Sequence, residues 1–119
     1  MLHSPTSIVR LRIPIGDKIA IGPGKAALLE AIEETGSISA AGRSLRMSYR
    51  KAWLLVRDMN RFFAEPVVEA TKGGANGGRA RLTGMGSDVL QQYRKLERAA
   101  WGAISGKIGE FAKLLKDSQ

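Results

Sequence analysis

The stretch GSISAAGRSLRMSYRKAW, Gly36–Trp53, restricts the fold more than any other part of the chain. Ser37 and Ser39 offer capping oxygens, and Ile38, Ala41 and Leu45 recur at helical spacing. After only Arg46 and Met47 a new helix starts, with Ser48 as a good N-cap, and runs to about Ala64, where Glu65-Pro66 stops it. Helices joined by so tight a turn lie against each other. Ala40, Ala41 and Gly42 carry almost no side-chain bulk, so a neighbouring helix can approach closely.

The second of these helices has two unlike faces. With Ala52 at zero and a rotation of about 100° per residue, Val56, Met59 and Phe63 fall within about 40° of it and form the buried side. Arg50, Leu54, Arg57 and Arg61 fall opposite. Lys51 borders that exposed sector on one side, and Tyr49, Trp53 and Asn60 line the other flank. A solvated face ordinarily mixes signs, yet Asp58 is the helix's one acid. Arginine carries a planar donor fork that suits phosphates and guanine edges.

Charge concentrates in the same region. The formal net charge is +8. Residues 1–42 balance to zero, whereas residues 43–81 hold nine basic residues against Asp58, Glu65 and Glu69. Such an excess favours an acidic partner, nucleic acid above all.

Around this centre the remaining pattern is legible. SIVRLRI, Ser7–Ile13, alternates as a half-buried strand, and Gly16-Asp17 is a turn into a second short strand. GPGKAALLEAIEETG reads as a helix with Pro23 in its first turn and Gly36 capping its end. Val67–Lys72 and Arg79–Thr83 are strand-like arms of a hairpin around the loop GGANGG, with Arg79 and Arg81 pointing the same way. From Gly84 to Lys116 the chain is helical, weakened by Gly102, Gly106 and Gly109, with a break expected near them.

Several chemistries are excluded or unsupported. Without cysteine there is no disulfide or thiolate metal site. The sole histidine, His3, stands near the N-terminus, no His/Asp/Ser constellation exists, and GGANGG lacks the Gly-Lys-Ser/Thr ending of a nucleotide loop. No apolar run is long enough to span a bilayer, and MLHSPTSIVRLRI is not a secretory signal. The expectation is a cytoplasmic, nucleoid-associated protein that is not an enzyme and holds no metal or cofactor.

Helix, short helix, tight turn, arginine-rich helix and glycine-tipped hairpin make a winged helix-turn-helix. The expected class is mostly α with small β (α+β), a single domain over residues 1–119. It comprises a DNA-binding core with wing at about 7–83 and a helical dimerisation region at about 84–116. GPGKAALLEAI, GSISAAGRSLRMSYRKAWLLVRDMN and GGANGGRARLTGMG together resemble the N-terminal DNA-binding region of the ModE family of molybdenum-dependent transcriptional regulators, which is similar in fold to the LysR-type DNA-binding domain. The resemblance covers roughly Ile8 to Tyr93. It implies a homodimer, held by the first strands and the long C-terminal helix, on an inverted-repeat operator in double-stranded DNA. Arg46 departs from the pattern, standing where the turn often has glycine. Family members also carry C-terminal domains that sense molybdate or tungstate. This chain ends at Gln119, before such a domain would fit, so oxyanion sensing by the chain alone is not expected.

The candidate DNA contacts divide by position. Arg50 and Arg57 are base or phosphate readers, and Arg61 lies one turn further along. Ser48 is first an N-cap, with a phosphate contact additional. Tyr49, matching the family's SYR segment, contacts DNA through its hydroxyl, and Lys51 faces outward. Trp53 is expected as half-buried packing. Leu54 either meets a thymine methyl or is simply exposed. Ser37 and Ser39 donate to phosphates or only cap. In the wing, Lys72, Asn76, Arg79 and Arg81 are phosphate or minor-groove contacts or solvated cations. Val89, Tyr93, Leu96, Ala100, Ile104, Ile108, Phe111 and Leu115 form a stripe at steps of three or four, either internal packing or, as favoured here, a dimer interface. Two other functional classes stand beside the regulator: an interaction module pairing with a separate oxyanion-sensing protein, and a nonspecific nucleic-acid binder.

Overall fold

The computed structural model describes residues 9–71 and 78–116. Two antiparallel strands open it, β1 (Ile13–Ile15) and β2 (Lys18–Ile21). Gly16, at φ +63, supplies the left-handed residue their turn requires. Of the expected strand over Ser7–Ile13, Ser7 and Ile8 lie outside the described residues, and the rest is displaced. Val9 is buried and Arg10 and Arg12 are exposed, so the alternation holds, but among the described residues pairing begins only at Ile13. The reason is that the Leu11 carbonyl accepts the Tyr93 hydroxyl at 2.7 Å, tying this segment to a helix instead of a strand.

Helix α1 (Pro23–Thr35) is the centre of the core: Ala26, Leu28, Leu29 and Ile32 are fully buried. It ends on Gly36 at φ +72, whose N–H donates to the Ile32 carbonyl. Helix α2 (Ile38–Ser44) follows, N-capped by Ser37, and α3 (Tyr49–Phe62) begins after the turn Leu45–Met47, N-capped by Ser48. A Cβ on Gly42 would stand 3.2 Å from the Ala52 Cβ and 3.4 Å from the Met47 carbonyl oxygen, so α2 and α3 cross at a distance that little but glycine permits. Arg46 adopts φ +60, the glycine-like conformation, at a cost of about 1–2 kcal/mol for a residue with a Cβ. Ala52, Val56 and Met59 face the core. Helix α3 stops two residues earlier than expected. Phe63 turns to an extended conformation and packs, partly buried, against the core ahead of Pro66.

The wing pairs β3 (Val68–Thr71) with β4 (Arg79–Leu82), antiparallel, in the register Val68↔Leu82 to Thr71↔Arg79. The Ala80 N–H donates to the Gly36 carbonyl at 2.8 Å, which joins the wing to the α1–α2 corner.

Helix α4 (Gly84–Ser105) is about 33 Å long. After Gly106 and Lys107 comes the short α5 (Ile108–Ala112), the break falling within the glycine-rich stretch as the sequence suggests. Leu90 and Tyr93 close the core, while the distal half of α4 extends away from it in a molecule measuring 60 × 32 × 23 Å.

Candidate nucleic-acid interface

Helix α3 is held from both ends. At its start, the Ser48 Oγ accepts the Lys51 N–H at 3.0 Å. At its far end the Phe62 ring carries the ammonium groups of Lys25, at 5.2 Å, and Lys18, at 5.8 Å. The Lys25 Nζ also donates to the Ile19 carbonyl, and burial holds its pKa below the ordinary lysine value, with Asp58 opposing the shift. Asn60 then fastens the helix to the wing. Its Oδ1 accepts the N–H groups of Val67 and Val68 at 2.7 and 3.1 Å, and its Nδ2 donates to the Val68 carbonyl. On the sequence Asn60 is only a flank residue. Its role depends on a strand that folds back eight residues later.

The outward face is cationic. Arg50, Lys51, Arg57 and Arg61 are exposed, and Leu54 is half-buried among them. Arg57 approaches Asp58 only to 3.9 Å with both side chains half exposed, so this pair leaves the guanidinium available. Tyr49, Arg50, Trp53, Leu54 and Arg57 line a shallow depression. Trp53, expected as half-buried packing, is 44% exposed, and its open part belongs to this depression. It lies about 100° round the helix from Ala52, beyond the reach of the α1–α2 core.

Ser37 and Ser39 separate. The Ser37 Oγ accepts the Ala40 N–H at 3.0 Å and is the α2 cap, whereas the Ser39 Oγ accepts from the Arg43 guanidinium at 3.2 Å. Arg79 and Arg81 project from the same side of β4, both exposed, opposite the buried Ala80. The Arg81 guanidinium is paired with Glu69 across the strands at 3.1 Å, an exposed bridge. Lys72 and Asn76 lie outside the described residues.

The α4 stripe divides in two. Tyr93 is 1% exposed and Val89 packs against the core, so Tyr93 is not available to a second chain. Burial, and then the nearby Glu97 carboxylate, push the Tyr93 pKa up. Beyond it Ala100 is half-buried, while Leu96, Ile104, Ile108, Phe111 and Leu115 are exposed apolar residues, joined by Leu114. Between the two parts sits a pair the sequence reading missed. Arg94 donates to Glu97, itself buried, at 2.8 Å, and to Glu30 of α1 at 2.9 Å.

A glycine-tight helix pair, an arginine-faced second helix and a two-stranded wing define a winged helix-turn-helix domain of α+β class. No protein-family model matches the chain. It is 47% identical over 95 residues to the molybdenum-pterin-binding protein MopB of Rhodobacter capsulatus, covering 80% of this chain and 34% of that protein. With the transcriptional regulator ModE of Haemophilus influenzae it shares 36% over 90 residues, 76% of this chain and 35% of that one. With the DNA-binding transcriptional dual regulator ModE of Escherichia coli K12 it shares 33% over 100 residues, 82% and 38% of the two chains. The chain is a ModE-like domain, spanning little more than a third of the length of the curated relatives it matches. Those relatives are named as regulators and as a pterin-binding protein, not as enzymes. Among the described residues no helix is long and apolar enough to cross a membrane.

Proposed function

We propose that the chain is the DNA-binding part of a transcriptional regulator, acting as a homodimer on an inverted-repeat operator in the nucleoid. Helix α3 enters the major groove, with Arg50 and Arg57 on base edges or phosphates and Tyr49, Lys51 and Arg61 on the adjoining backbone. The wing, with Arg79 and Arg81, rests on flanking phosphates. The observation that carries this reading is the arginine face of α3, capped by Ser48, tied to the wing through Asn60, and with Arg57 engaged only by a loose, half-exposed pair with Asp58 at 3.9 Å. The relatives named as transcriptional regulators support it. Dimerisation through the exposed apolar residues of α4 and α5 matches operator symmetry, since a two-fold protein reads a two-fold site.

Selection from random double-stranded DNA tests the proposal. A palindrome is expected, and no enriched sequence refutes it. Affinity should fall with salt on a log–log slope of about −0.9 per phosphate neutralised. Arg50→Ala and Arg57→Ala should each weaken binding by about 1–3 kcal/mol and relax specificity. Molybdate should leave the affinity of this chain alone unchanged.

The same apolar face favours a second reading, in which α4 and α5 dock a separate oxyanion-sensing protein. Sedimentation of the chain by itself separates the two: a dimer supports the first, a monomer the second.

A further inference from the structure

Tyr49 and Trp53 stand one helical turn apart and Leu54 adjoins them, so their apolar surfaces form one patch in the α3 depression. Tyr49 is 56% exposed and Trp53 44%, and Arg50 and Arg57 line the same depression. The two arginines are seven residues apart, about 10 Å along the helix. That is close to three base-pair steps at about 3.4 Å each. Leu54 stands midway between them. Each base pair displays hydrogen-bonding groups in the major groove, but just one base carries an apolar group there, the C5-methyl of thymine. An apolar patch between two arginines on a groove-facing helix therefore has a single complementary feature in DNA.

Resting on the major-groove reading of α3, we propose that Trp53 and Leu54 are specificity-determining residues that receive a thymine methyl group, at a position within the three base-pair steps bracketed by Arg50 and Arg57. The arginines fix the flanking bases and backbone, and the patch selects thymine over cytosine between them. Thymine and cytosine each present one polar group at that edge of the groove, and thymine alone adds a methyl that the patch can cover.

The test uses the full chain and the operator obtained by selection, with each half-site thymine replaced singly by deoxyuridine. The replacement removes the methyl and keeps every hydrogen-bonding group. At the bracketed position the Kd of the wild-type chain should rise about fourfold, the equivalent of about 0.8 kcal/mol for one buried methyl-sized group. With Leu54→Ala and Trp53→Ala the same replacement should change Kd by less than about twofold, because the interaction has already been removed. Equal binding of thymine and deoxyuridine operators by the wild-type chain at every position overturns the proposal, whatever the variants do. A full deoxyuridine penalty retained in both variants overturns it as well. Arg50→Ala and Arg57→Ala run alongside. If they bind like wild type, the major-groove reading itself fails. If they lose affinity while deoxyuridine has no effect, that reading stands and the methyl assignment falls.

Discussion

Replacing Gly86 by alanine should destabilise the protein far more than an ordinary glycine-to-alanine change in a helix. Gly86 lies in the first turn of α4, where its N–H donates to the Thr83 Oγ1 at 3.0 Å. An added Cβ would overlap the Val67 carbonyl oxygen outright and stand 2.9 Å from the carbonyl carbon, both backbone atoms with no rotamer to give way. Relief requires α4 to move away from Val67. That movement strains the Thr83 N–H bond to the Val67 carbonyl at 3.0 Å and the Thr83 hydroxyl bond to the Pro66 carbonyl at 2.6 Å. Overpacking costs about 1–3 kcal/mol and two weakened hydrogen bonds about 1 kcal/mol each, against a helix-propensity gain of about 1 kcal/mol. The expected net loss is about 2–4 kcal/mol, a large share of the roughly 5–15 kcal/mol that stabilises a domain. The contrast is Gly102→Ala in the same helix, where a Cβ meets nothing within 4 Å and the propensity gain of up to about 1 kcal/mol stands alone. Thermal and urea unfolding followed by circular dichroism, at one chain concentration, should move the two variants in opposite directions. A Gly86→Ala protein as stable as wild type would refute the close approach of α4 to the wing.

Asn60→Ala removes the three bonds between α3 and the wing and should cost about 2–3 kcal/mol in urea unfolding, because the Val67 and Val68 amides lose their acceptor. Arg46→Gly should raise stability by about 0.5–1 kcal/mol, relief of the φ +60 conformation exceeding glycine's greater unfolded-state freedom. Glu69→Gln releases Arg81 from its exposed bridge and should tighten DNA binding by about twofold at low salt and less at high salt, measured by anisotropy titration. Arg94→Ala strands the buried Glu97 carboxylate and should cost about 3–5 kcal/mol, whereas Arg94→Met combined with Glu97→Leu should recover much of that loss on thermal melting.

The helices were legible because their signals are local. Pro23 and Gly36 bound α1, Ser37 and Ser48 cap α2 and α3, and the glycines near 106 break the C-terminal helix, each acting within a few residues of itself. The rotational pattern of α3 likewise separated Ala52, Val56 and Met59 from its arginines correctly. Strand positions were less legible near the N-terminus, because the alternation of Val9 to Ile13 tells which side is apolar and not what pairs with it. At the site, the angle of Trp53 put it on a flank as a half-buried residue, and only the folded chain showed that its open part joins Tyr49 and Leu54 in one depression.

Local order along the chain thus prescribed the helix-turn-helix, its small-residue crossing at Gly42 and the arginine face, since propensity, capping and periodicity all act over one or two turns. What joins these parts came only with the folded chain. Asn60 reaching Val67 and Val68, Ala80 bonding to Gly36, Tyr93 to Leu11, and Arg94 bridging to Glu30 are side-chain or backbone partnerships across as many as 82 residues. A polar group's partner at that separation is set by where the two elements come to rest, and no spacing in the sequence encodes it.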